Sequence, residues 1–245
     1  GLFLPPWAGE KIQIINLLAA TPLAFRALIR TINPQNVFLS FLIFPFTHPM
    51  FLFFGFDNFC LSVLLFIITL NFWIRSDQKT WNLKRGLLLF FLIALTYFSH
   101  ILSFGVLLIA IATHILTRLV LLLKDRSKDF RAALTTTLHR IMVITASAAI
   151  PLALFAYFFL TRPGTRDIKF IPGRELLEYL YTIRPLITFN PSMESKVTIP
   201  FFIFLMIIAF TGLILLIKGK RTEEKINQDS DKIAPQTSTA PHHHI

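Results

Sequence analysis

Residues 87–123 read LLLFFLIALTYFSHILSFGVLLIAIATHILTRLVLLL, 37 positions with one permanent charge, Arg118. As a single helix this stretch would run about 55 Å, against a hydrocarbon core of about 30 Å. The flanking charge decides how it is laid out. Arg75, Lys79, Lys84 and Arg85 precede it, and Lys124, Arg126, Lys128, Arg131 and Arg140 follow it. Two basic clusters on one side of a membrane require the chain between them to cross twice. The reversal is predicted at Ser99-His100-Ile101-Leu102-Ser103, with Gly105 close by. Leu87–Phe98 is short for a full crossing, which predicts a thin or tilted hairpin whose tip dips into the bilayer.

The rest of the chain has the same character. Of 245 residues, 54% are hydrophobic and only 15% charged, and phenylalanine alone occurs 27 times. Mean hydropathy is +0.65. Soluble domains carry about 25% charged residues, so a disordered chain, a disulfide scaffold and an ordinary soluble enzyme domain are excluded. The fold class is all-α, a polytopic transmembrane helical bundle. The net charge of +11 comes from short basic clusters between apolar runs. That is the positive-inside pattern, and it requires no nucleic acid partner. The single cysteine, Cys60, allows no intrachain disulfide. The chain opens on Gly1 with apolar sequence at once, which reads as the back portion of a larger protein.

Ile141–Thr161 and Val197–Ile217 are uncharged runs of spanning length, and Asn58–Ile74 ends at Arg75 with Phe72 and Trp73 placed as interfacial anchors. Ile12–Ile29 forms a further crossing, with Pro22 inside it. Asn33-Pro34 marks a turn, Val37–Phe46 rises again, and Met50–Phe56 forms a short outer-leaflet piece. The total is about seven crossings, starting outside and ending in the cytoplasm. Of the 24 Lys and Arg, 17 fall inside and 7 outside, six of the seven in one outer loop, 161–199. Short interfacial helices are expected at Asp129–His139 on the inner surface and Arg174–Ile183 on the outer, the latter with an Arg174–Glu178 pair. Residues 1–221 make the bundle, and 222–245 a disordered cytoplasmic tail.

Ionisable groups at membrane depth are expensive, so each one needs a reason. Asp57 is either a carboxylate at the outer mouth of the bundle or, with Asn58, a cap for the helix that runs to Ile74. His48 and His100 fall at predicted outer turns on the same side as Asp57. Together these four residues could line one polar pocket, a His beside a carboxylate being a common acid–base pairing. Each His is equally a plain turn residue, whereas the break at His100 lies in apolar surroundings, where such breaks line cavities. In the outer loop, Arg162, Arg166, Arg174 and Arg184 could clamp a lipid phosphate through their guanidinium forks. Snorkelling to headgroups is the alternative. His114 and His139 read as helix-surface or interface residues. No metal-ligand spacing is present, since the three histidines near the C-terminus make no closed site. No cofactor is required, and a divalent cation is compatible but not indicated.

Several of these residues also carry a resemblance. Phe54-Gly55-Phe56-Asp57-Asn58-Phe59, then a long apolar helix ending Asn71-Phe72-Trp73-Ile74-Arg75, then Tyr97-Phe98-Ser99-His100 follow in order. Across residues 34–123 this resembles bacterial multispanning proteins related to the GT-C glycosyltransferases. The resemblance implies a bacterial inner-membrane enzyme that transfers a sugar from a polyprenyl-phosphate donor on the outer face. It implies membrane lipid and a polyprenyl-phosphate-linked sugar as partners. In that family the catalytic carboxylate lies in the first outer loop, which would fall upstream of Gly1, so no catalytic residue carries over and Asp57 does not take that role. Two other functions fit the composition: a transporter or flippase for a lipid or hydrophobic solute, and a non-catalytic membrane subunit.

Overall fold

A computed structural model describes residues 5–47, 55–124, 130–161, 172–182, 190, 192–211 and 214. Among them every regular element is helical. The order is α1 (Pro6–Ile32), a 3₁₀ helix (Pro34–Phe46), α2 (Asp57–Asp77), α3 (Leu83–Ser99), α4 (Ile101–Lys124), α5 (Phe130–Thr161) and α6 (Gly173–Tyr181), then α7 (Ser192–Thr211). Among the described residues α1, α2, α4, α5 and α7 are long and apolar enough to cross a membrane. The 3₁₀ element is kinked at Asn36, so its continuous part, 37–46, extends about 20 Å at about 2 Å per residue, and the 17-residue α3 extends about 25 Å. With them the reading of about seven crossings stands.

The chain divides into two compact units, Gly1–Pro172 with Pro185–Phe189, and Gly173–Arg184 with Asn190–Ile245. In the first unit, two contacts set the direction of the helices. Ser62 and Ser103 meet Oγ to Oγ at 2.7 Å, and Trp73 Nε1 donates to His114 Nδ1 at 3.2 Å. Both pairs have the same separation of 41 residues. So α2 and α4 run parallel and in register. The two contacts lie 11 residues apart on each helix, about three full turns, which puts them on one stripe. α3 returns antiparallel between them.

The reversal expected at His100 is present. α3 ends at Ser99, His100 is extended (φ −164°, ψ 125°), and α4 begins at Ile101. The His100 amide still donates to Thr96, and its carbonyl accepts from Phe104 at 3.2 Å. One residue therefore leaves the helix while both of its backbone groups stay satisfied, as an apolar setting demands.

The core is Trp73, Leu89, Ile93, Phe104, Leu107, Ile111, Ile115 and Ala148. Small hydroxyl residues are buried beside it: Ser62, Thr69, Ser76, Thr96, Ser103 and Ser147. Large apolar side chains such as Phe91, Phe98, Leu102 and Ile109 point outward and are more than half exposed. Lipid is as apolar as leucine, so a membrane bundle is held by close packing and polar contacts rather than by hiding apolar surface. Ser62 donates to the Phe59 carbonyl at 2.6 Å, so in the Ser pair Ser103 is the donor. Thr69 and Thr96 each donate to a carbonyl one turn back, which leaves no proton for their mutual 3.5 Å contact.

Several expectations change. The stretch expected as a separate surface helix, Asp129–His139, is not one: from Phe130 on it is the start of α5, a helix of 32 residues, about 48 Å, with Asp129 outside the described residues. Nothing between His139 and Ile141 breaks a helix, and Arg140 is anchored inside the bundle. The expected apolar stripe, Phe130, Leu134 and Leu138, is exposed, while Ala133 and Thr137 are buried. Trp73 is no interfacial anchor: it is fully buried, because its indole N–H finds a partner on α4. Neither Asp57 nor Asn58 caps α2. The capping position is Phe56, after Gly55 in the left-handed region (φ 74°), and Asp57 is the first helical residue. A carboxylate in a first turn still complements the helix dipole. The piece at Met50–Phe56 falls largely outside the described residues, and the tail after 221 wholly so.

In the second unit, α6 occupies the stretch expected to be a surface helix. Its Leu176, Leu177 and Leu180 share an exposed apolar face. The i,i+4 contact that forms is Tyr179 Oη to Glu175 at 2.9 Å, rather than an Arg174–Glu178 pair. Asn190 opens α7: its Oδ1 accepts from the Ser192 amide at 3.2 Å, and its own amide donates to Glu194 at 3.1 Å.

The buried Ser pair predicts a measurable but modest coupling. A double-mutant cycle of Ser62→Ala and Ser103→Ala, read by unfolding in mixed micelles, is expected to give about 0.6 kcal/mol and no more than about 1.7 kcal/mol. A coupling of zero would remove this contact from the forces that hold α2 to α4.

Candidate functional site

The two ends of the first unit differ in chemistry. At one end stand His100, Asp57 and Asn58. The imidazole of His100 meets the ring of Phe59 edge-on, with centroids 5.2 Å apart. Phe59 lies two residues after Asp57, so the start of α2 and the α3–α4 break share one end of the bundle. His100 Nδ1 is buried and has no hydrogen-bond partner among the described residues. Asp57 is half-buried and Asn58 exposed. No hydrogen bond links Asp57 to His100, so the pair is not a preformed acid–base couple. What the arrangement offers is a recessed imidazole nitrogen beside a helix start that carries a carboxylate and an amide.

The other sequence-derived residues are distributed as follows. His48 lies outside the described residues, as do Arg162, Arg166 and Arg184. Arg174 is exposed on α6 in the second unit. The structure therefore brings together three of the four pocket candidates and leaves the arginine clamp untested.

At the opposite end lies a buried ionic cluster that the sequence reading did not single out as a site. Asp77, at the last turn of α2, has a side chain 1% exposed. Arg140 of α5 donates from Nε to Asp77 Oδ1 at 2.5 Å, and Arg118 of α4 approaches Oδ2 at 3.7 Å. Three helices thus converge on one carboxylate. His114 lies one turn before Arg118 and accepts the Trp73 indole, so its own proton sits on Nε2. Trp81 packs against Trp73 with ring centroids 5.5 Å apart and the planes tilted by 36°. A signal for this cluster was present: Arg118 is the only permanent charge in 37 residues, and His114 falls on its face at i−4. What sequence could not supply is the partner, which is 41 positions away.

Among the described residues no group of three or more His, Cys, Asp or Glu is placed to hold a metal ion. Among the described residues Asp57 is the carboxylate at the start of α2 beside the His100 end.

The fold and this polar end define a multi-pass helical membrane protein with a recessed site at one end of the bundle. A family model, oligosaccharyl transferase STT3, N-terminal, matches residues 54–169. That segment begins just before Asp57 and covers α2, α3, α4 and α5. Oligosaccharyl transferases of this kind are GT-C enzymes, so the resemblance read from Phe54–Arg75 and Tyr97–His100 is upheld. At the level of the family, this segment is oligosaccharyl-transferase-like. No curated protein and no solved structure matches the chain.

The cluster at Asp77 makes a direct prediction. Replacing Arg140 by Met strands a buried carboxylate, and removal of one partner from such a pair costs about 3–5 kcal/mol. Chemical unfolding in detergent is expected to show that loss for Arg140→Met, and to show at least half of it recovered when Asp77→Asn is added. If the second substitution recovered nothing, the penalty would not come from the uncompensated charge.

Proposed function

We propose that this chain is part of a lipid-linked sugar transferase that works at the His100 end of the bundle. The donor is a sugar on a polyprenyl phosphate, and transfer occurs on the outer face of a bacterial inner membrane, with the basic end of the bundle in the cytoplasm. The observation that carries the reading is the one-residue break at His100. It leaves a buried, unpartnered imidazole nitrogen within a segment that matches an oligosaccharyl transferase domain. An unpaired buried polar atom costs stability, and such costs are tolerated where a ligand will supply the partner.

An apolar cavity of about 340 Å³ supports a lipid donor. It is lined by Thr21 and Phe25 of α1, by Phe46 and Thr47, and by Phe59 and Cys60 of α2. Phe59 is shared with the His100 contact, so a hydrocarbon tail in this cavity would bring its phosphate toward the polar end. In this mechanism Arg162 and Arg166 hold the donor phosphate and stabilise the departing lipid phosphate as the sugar–phosphate bond breaks. His48, Asp57, Asn58 and His100 orient the sugar and the acceptor. No residue of this chain is assigned as the base that deprotonates the acceptor.

A flippase is the second reading. One observation favours it: Asn71 Oδ1, deep in α2, is also buried without a partner.

The test uses the purified full-length protein that contains this chain, in liposomes with a radiolabelled polyprenyl-phosphate sugar. His100→Ala and Arg166→Ala are each expected to lower transfer by about 100-fold or more, the scale of one lost transition-state hydrogen bond. Wild-type transfer that survives both changes would remove the site assignment, and donor translocation without transfer would favour the flippase.

A further inference from the structure

The basic end of the first unit carries a second feature, independent of the His100 end. The last turns of α1 and α2 come together there. Arg26 and Arg30 are spaced i,i+4 on α1, Arg75 lies in the last turn of α2, and Lys79 follows in the bend after its C-cap, Gln78. All four, with Thr31 and Gln78, line one open cavity of about 650 Å³ whose apolar wall is Leu23 and Ala27. Among the described residues no acidic side chain lines it. Asp77, the carboxylate between Arg75 and Lys79 in sequence, is turned away and held by Arg140 and Arg118, with 1% of its side chain exposed. Arg85 is also engaged, donating from its guanidinium to the Thr80 carbonyl.

Two simpler explanations cover part of this. Cations at helix C-termini complement the dipole, and long basic side chains snorkel to the membrane surface. Either would account for one basic residue on each helix. Neither requires the C-terminal turn of α1 and the chain around the end of α2 to bring two cations each to the same cavity while the carboxylate between Arg75 and Lys79 in sequence is withdrawn into the protein. Four like charges around one space repel, and that cost falls when an anion occupies it. Guanidinium forks take phosphate oxygens in pairs, and the Gln78 side-chain amide is an uncharged donor beside them, the Thr31 hydroxyl already donating to the Ala27 carbonyl at 2.9 Å.

We infer that the cavity between the C-terminal turns of α1 and α2 is a phosphate-binding site, filled by the headgroup of an anionic phospholipid. Basic cavities between membrane helices at a bilayer surface are suited to such headgroups. Leu23, 66% exposed, offers apolar surface where the acyl chains would begin. The site holds a lipid that belongs to the bilayer, and is separate from the donor proposed at the His100 end.

The experiment uses the full chain in nanodiscs. Thermal unfolding is compared in pure phosphatidylcholine, in phosphatidylcholine with 20% phosphatidylglycerol, and in phosphatidylcholine with about 10 mM inorganic phosphate as the alternative source of the same anion. The wild type is expected to unfold several degrees higher with phosphatidylglycerol, and to retain about tenfold more of that lipid after delipidation than Arg30→Gln/Arg75→Gln does. The charge-conserving Arg30→Lys/Arg75→Lys variant should keep most of the shift, which separates loss of binding from loss of fold. Stabilisation by inorganic phosphate alone, abolished in the Gln variant, would keep the phosphate site but assign it to a soluble ligand. Equal shifts in the wild type and the Gln variant, or no shift with either anion, would overturn the site.

Discussion

Asp77 is a carboxylate withdrawn almost wholly from solvent at the end of a membrane helix, and it is held there by two arginines from two other helices. An isolated charge in that position would cost several kcal/mol, by the usual order of buried-ion penalties. It is stable only while α4 and α5 stand where they do. The cluster therefore acts as a registration device. Arg140 sets how far α5 slides along α2, and Arg118, with His114 one turn earlier, sets the rotation of α4. Apolar side chains cannot do this in a bilayer, because a leucine facing lipid is nearly as content as one facing another helix.

The consequences run along the bundle. Once α4 is registered on α2 at Trp73–His114, the Ser62–Ser103 contact follows three turns away, because both helices keep the same pitch. That places the start of α4, and so His100, beside the start of α2. The polar end with Asp57 and His100 thus depends on an ionic contact at the far end. Engagement of Asp77 also turns the carboxylate between Arg75 and Lys79 in sequence away from them, and among the described residues that line the cavity between α1 and α2 the charged ones are all cationic.

Much of the architecture was legible before any coordinates. Charge on both sides of Leu87–Leu123 required a double crossing, and the weakest point for a helix there was Ser99-His100. The errors share a cause. Trp73 looked like an interfacial anchor, and Asp129–His139 like a separate surface helix, because both readings treat each segment as facing lipid and water alone. In the folded chain Trp73 has His114 as a partner, and Arg140 is drawn inward by Asp77. Asp57 looked like a cap, but the turn closes one residue earlier, where Gly55 adopts a left-handed conformation.

By itself the sequence determined the class of molecule, the number and approximate bounds of its crossings, and the break at His100. Those are properties of single segments in a bilayer, set by hydropathy, length and the cost of moving charge. Only the tertiary structure decided which polar groups meet. The pairs Asp77–Arg140, Trp73–His114 and Ser62–Ser103 join residues 41 to 63 positions apart. No local preference encodes those distances, because each one exists only after separate helices have packed at a particular register.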